Sequence, residues 1–100
     1  MQSEKSPDMR SEINEKKRRY GRACEQIALL DREIADLEKR YKRAKRDKMR
    51  PFKYNIKLRL QVLQGVRNMY ANYASNKAAE LKRDLMDVLR QMIPGLDSDN

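Results

Sequence analysis

The stretch RPFKYNIKLRLQVL, Arg50 to Leu63, decides how this chain folds. Apolar and polar residues alternate in it from Phe52 to Val62. A period of two marks a half-buried strand. The composition argues the other way. Leu, Lys, Arg and Gln dominate KLRLQVLQ, and all are good helix formers. Only Ile56 and Val62 are β-branched, and Asn55 is an acceptable N-cap. As a helix, the segment spreads its apolar groups around the first turns, which suits a place where several helices converge. Helix is the reading adopted; a strand over residues 52–60 is the alternative.

Both flanks read as helix. Upstream, a heptad can be counted from Ile13. One position takes Ile13, Tyr20, Ile27, Ile34 and Tyr41; three residues after each come Lys16, Ala23, Leu30, Leu37 and Ala44. Every one of these positions from Tyr20 to Ala44 is apolar or aromatic, which is a coiled-coil signal. Glu12–Lys16, Glu15–Arg19 and Asp36–Arg40 have the favourable i,i+4 order. Ser11 or Ser6-Pro7 can start the helix. Pro51 should stop it, because the residue before a proline is pushed out of the α region. The expected helix runs over 11–48, about 55–60 Å at about 1.5 Å per residue. Gly21 within it is read as a tolerated defect rather than a close crossing point.

Downstream, the helical spacing resumes through Leu60, Leu63, Tyr70, Ala74, Ala78, Leu81, Leu85, Val88 and Met92, with Arg67 interrupting. A second stripe runs beside it through Val62, Val66, Met69 and Tyr73. Two stripes make a wide apolar face, of the kind found in bundles of more than two helices. Within NMYANYASN, Tyr70 and Tyr73 read as interface aromatics before they read as base-stacking groups. Ser75 and Asn76 are N-cap types that can mark a break.

Charge is segregated. The formal net charge is +9, yet residues 1–38 carry eight bases against nine acids. Residues 39–79 carry thirteen bases and one acid, Asp47; residues 80–100 carry three bases and five acids. Eleven of the bases fall between Lys39 and Arg59. So concentrated a field attracts polyanions, and nucleic acid is the commonest such partner of a basic protein. The plain alternatives are a solvated helix face helped by a C-terminal dipole, or a nuclear localisation signal.

Several functions are disfavoured. Histidine is absent and Cys24 is the single cysteine, so a structural zinc site within one chain and an intramolecular disulfide are not expected. The lone cysteine points to a reducing compartment, nuclear or cytoplasmic, not secreted. No phosphate-binding or nucleophile-elbow glycine motif occurs. We expect no enzyme activity, no cofactor and no metal. The longest apolar run, Ile27 to Leu30, is far too short to cross a bilayer, and a peripheral membrane role is disfavoured by the lack of Trp.

The alternative strand carries a resemblance. KYNIKLRL, QVLQGVRNMYANY, ASN and KAAELKRDLMDVLRQM, together Lys53 to Met92, resemble the strand, first helix, cap and second helix of a ribbon-helix-helix repressor domain. That resemblance implies a DNA-binding dimer in which Lys53, Asn55, Lys57 and Arg59 face outward and read bases.

The sequence thus predicts an all-α protein: a long antiparallel helical hairpin, or coiled coil, that dimerises into a four-helix bundle. Its parts are a disordered tail over 1–10, a hairpin over 11–93 and an acidic tail over 94–100. Within the hairpin, helices over 11–48 and 55–92 flank a link at 49–54. The helix–helix or oligomer interface is expected at Tyr20, Ile27, Leu30, Ile34, Leu37, Tyr41, Leu60, Leu63, Val66, Tyr70, Leu81, Leu85 and Val88. Polyanion contacts are expected at Lys42, Arg43, Lys45, Arg46, Lys48, Arg50, Lys53, Lys57 and Arg59. The expected role is a non-enzymatic homodimer whose basic segment binds nucleic acid or chromatin. The alternative is a scaffold or adaptor subunit that packs its helices into a larger complex, with its basic segment on an acidic protein surface.

Overall fold

A computed structural model describes residues 9–93 of the chain. Of the tails expected over 1–10 and 94–100, residues 1–8 and 94–100 lie outside the described residues, while Met9 and Arg10 belong to the first helix. Two elements account for nearly all the rest: α1, Met9–Arg46, and α2, Arg50–Met92. They are about 57 and 64 Å long at about 1.5 Å per residue. Contacts between them place the start of α1 against the end of α2 and Glu33 against Arg59. The pair is therefore an antiparallel helical hairpin.

The turn is tighter than the sequence suggests. The expected link over 49–54 is corrected to residues 47–49, since Arg50 to Tyr54 belong to α2. Three backbone bonds build it. The Asp47 amide reaches the Arg43 carbonyl at 2.9 Å, Lys48 reaches Lys45 at 3.2 Å, and Met49 reaches Ala44 at 2.9 Å. With Lys48 at φ 59°, the last two bonds form a Schellman motif. That motif ends α1 at Arg46, so Pro51 is not what stops it. Pro51 sits instead in the first turn of α2, where its missing N–H would have no helical partner anyway. Met49, not Asn55, is the N-cap, and the Lys53 amide closes the first turn on its carbonyl at 2.8 Å. Lys48 stands where glycine is preferred; the left-handed conformation costs an L-residue roughly 1–2 kcal/mol.

The alternating stretch is helical throughout, which removes the strand over 52–60 and with it the ribbon-helix-helix resemblance. No strand occurs among the described residues. The physical reason is burial. A helix sends only Ile56 (6% exposed) and Leu60 into the interhelical seam, together with the stem of Lys53. Phe52, Tyr54 and Leu58 are left on the surface around it. α2 also runs unbroken across Ser75 and Asn76, so no cap forms there.

On α1 the seam follows the counted heptad: Ile13, Ala23, Ile34, Leu37 and Ala44 are buried, and Ile27, Leu30 and Tyr41 half-buried. On α2 it takes Lys53, Ile56, Leu60, Leu63, Arg67, Ala74, Lys77, Leu81, Asp84 and Val88, spaced alternately three and four apart except for the step from Arg67 to Ala74, where Tyr70 lies at the surface. The expected stripe places Ala78 and Leu85 one position too far along; both are exposed, as is Met92 at the helix end. Polar residues hold the seam positions in their stead.

The densest packing lies next to the bend. Leu37, Ala44 and Ile56 form one cluster, with Tyr41, Leu60 and Leu63 against it. Toward the open end the seam turns ionic. Lys16 donates to Asp84 at 2.7 Å and lies 3.6 Å from Glu80. Arg67 bridges to Asp31 at 2.5 Å while its stem covers the seam.

Neither glycine of the two helices serves a crossing. An added Cβ at Gly21 or Gly65 meets nothing within 4 Å. Each lies inside a helix, where glycine is worse than alanine by about 1 kcal/mol. Gly21→Ala and Gly65→Ala should each raise stability by about that amount, read as a higher urea midpoint at unchanged slope.

Candidate polyanion interface

The bend gathers what the sequence spaces out. The last turns of α1 and the first turns of α2 meet at one end of the hairpin, so Lys42, Arg43, Lys45, Arg46, Lys48, Arg50 and Lys57 stand exposed around a single tip. Lys53 is half-buried at the seam. Arg59 sits further back, beside the Glu33 carboxylate at 3.4 Å, and is partly neutralised. Asp47 is the one acid in the sequence from Lys39 to Arg59, and its carboxylate lies 3.7 Å from Arg46. The packed cluster of Leu37, Ala44 and Ile56 lies directly behind these charges and holds the two helix ends together.

The two sides of the tip differ. On one, Arg40, Arg43, Asp47, Met49 and Phe52 surround a shallow hollow of about 250 Å³ that also touches Ala44. On the other, Lys45, Lys48, Arg50 and Lys53 ring an open cup of about 320 Å³ over Ala44 and Met49. The first side has a carboxylate and an aromatic; the second has four cations and no acid.

Helix dipoles separate two sources of this charge. Arg43, Lys45 and Arg46 lie in the last turn of α1, where cations complement the dipole. Arg50 and Lys53 lie in the first turns of α2, at its positive end, and no acidic residue occupies that first turn. The dipole explanation covers the first group and runs against the second.

A separate apolar stripe lies midway along the hairpin. Val62, Met69 and Tyr73 of α2 and Leu29 of α1 are exposed, Met69 to 71%. Arg19, Arg22, Ala23, Gln26, Val66 and Tyr70 border an open groove beside them. Of the expected interface residues, Ile34 and Leu37 are buried between α1 and α2. Ile27, Leu30, Tyr41, Leu60, Leu63, Val66, Leu81 and Val88 are half-buried, and Tyr20, Tyr70 and Leu85 lie largely at the surface. The Lys77 ammonium sits 5.5 Å from the centre of the Tyr73 ring.

Interhelical charge contacts are what the sequence reading missed. Lys16 appeared only as a break in a heptad and Arg67 as an interruption. Each is held in its charged form: hydrogen bonding to Asp84 raises the pKa of Lys16, and hydrogen bonding to Asp31 raises that of Arg67. Glu80 is held below the usual carboxylate range, chiefly by its hydrogen bond from Lys77. A polar residue at a seam position is the available signal, but its partner depends on interhelical register.

Among the described residues, no helix is long and apolar enough to cross a membrane. Comparison with protein-family models, curated proteins and solved structures gives no match, so the geometry carries the functional argument.

Proposed function

We propose that this hairpin is a non-enzymatic interaction protein that binds a polyanion, nucleic acid or chromatin, through its basic tip. The observation that carries the reading is the placement of Arg50 and Lys53 at the positive end of α2 with no acid in that turn. Cations there oppose the helix they stand on and repel the bases at the end of α1. An anionic partner supplies the missing counter-charge. Contacts from helical Lys and Arg to phosphates fix position without reading sequence, so binding is weakly sequence-selective.

The hairpin further pairs with a second copy into a four-helix bundle through the stripe of Leu29, Val62, Met69 and Tyr73. A two-helix hairpin buries little apolar surface for its length, and covering this stripe adds to it. Two tips placed together repel strongly, which favours a pair with its tips at opposite poles.

Sedimentation with and without a short DNA duplex, over a salt series, tests both parts. If about six phosphates are engaged, log K against log[salt] slopes near −5. The free protein sediments as a dimer. No binding at low salt, or binding indifferent to salt, rejects the polyanion reading; a monomer at every concentration rejects the pairing.

The exposed stripe also favours a second reading. In it the stripe packs on helices of a larger assembly, and the tip docks an acidic protein surface. That reading retains its partner in high salt, because apolar burial carries the affinity.

A further inference from the structure

We infer that one side of the tip, the cup formed by Lys45, Lys48, Arg50 and Lys53, is the seat for adjacent phosphates of a nucleic-acid backbone, and that the opposite side is not. This rests on the polyanion reading and narrows it from a charged end to four residues with a direction.

Three observations converge on these side chains. The first is composition. The cup has four cations and a floor of Ala44 and Met49, with no carboxylate in its lining. The hollow across the turn has Asp47 and Phe52 in its lining, and its Arg40 is already paired with Asp36 at 3.2 Å. Like charges facing one concavity repel until an anion enters it.

The second is backbone geometry. Lys48 has φ 59° at the position after α1 where a Schellman motif favours glycine. An L-residue in that conformation is strained, and strain of this sort is a pointer to function when the residue also contributes to a site. The conformation puts a lysine at the cup's rim, between the last turn of α1 and the first turn of α2.

The third is the support beneath. Ala44 is 2% exposed and belongs to the packed cluster with Leu37 and Ile56. The floor is therefore held by the hairpin core, and the cations projecting around it share one rigid base. More than one phosphate is indicated, because four cations exceed what a single diester charge neutralises.

Two variants that remove the same charge test the cup. Lys48→Gly removes a cup cation and also relieves the backbone. Arg40→Gln removes an exposed cation of the opposite hollow, outside the cup lining. Binding to a short DNA duplex is measured for both across a salt series, with a thermal melt of each. Lys48→Gly should melt no lower than wild type, lower the salt slope by about 0.9, and weaken binding about five-fold at ~0.15 M salt. Arg40→Gln should leave the slope unchanged and cost less than about two-fold. Equal losses in the two variants, or none for Lys48→Gly, overturn the cup while leaving a diffuse basic tip. Absence of wild-type binding at low salt overturns the cup and the polyanion reading together.

Discussion

Replacing Lys45, Arg46, Lys48 and Arg50 together by glutamate should weaken duplex binding by on the order of 10³-fold at ~0.15 M salt. Each phosphate contact contributes about 0.9 to the salt slope, so four lost contacts remove about three decades there. The new carboxylates add repulsion on top. The fold should withstand the change, because all four side chains are exposed and none belongs to the packed cluster. At the helix ends the effects oppose each other. Glu at 45 and 46 is unfavourable at the C-terminus of α1, whereas Glu at 50 is favourable at the N-terminus of α2. Circular dichroism should therefore match wild type while a duplex titration does not. An unchanged titration means that the tip is not the binding surface.

The same variant separates the two functional readings. A partner held by the apolar stripe stays bound when the tip is reversed and leaves when Met69 or Tyr73 becomes aspartate. Both residues are exposed, so their substitution reports on an outside partner. Leu63→Asp is a poorer probe. Leu63 packs against the Leu37, Ala44 and Ile56 cluster, and a charge there disrupts the hairpin itself.

How much of this was legible depends on what filled the seam. In α1, nine of the ten heptad positions from Ile13 to Ala44 are apolar, so period alone marks the buried face. In α2, Lys53, Arg67, Lys77 and Asp84 hold seam positions, and a search for apolar spacing slides onto Ala78, Leu85 and Met92 instead. The stability of those polar positions comes from the other helix, through Asp31 and Lys16 or through stems lying along the seam. A single strand of sequence holds no record of that pairing. The bend was hidden for a related reason. Pro51 is a strong signal with two meanings, stop and start, while lysine gives no warning that position 48 is left-handed. Charge segregation, by contrast, was plain, because it needs only counting. Its division into an all-cation cup and a carboxylate-bearing hollow needed the turn to be closed first.

Removing the packing behind the tip should have the largest effect on stability. Leu37 is 6% exposed and clusters with Ala44 of its own helix and with Ile56 from across the bend. Leu37→Ala should cost about 2–5 kcal/mol, the range for a buried leucine whose cavity cannot fully collapse. For a protein of this size, total stability is on the order of 5–15 kcal/mol at best, and a hairpin with an ionic open end belongs near the bottom of that range. The variant should therefore be largely unfolded at 37 °C. Leu89→Ala is the control: Leu89 is 41% exposed and lies outside the stripe, and its loss should stay within about 0.5 kcal/mol. Function should follow stability here. The cluster fixes the ends of both helices, so its loss disperses the cations of the tip and should weaken duplex binding even though every charge is retained. A Leu37→Ala protein that melts with wild type and binds duplex equally well would place the hairpin's support elsewhere along the seam and leave the cup without a rigid floor.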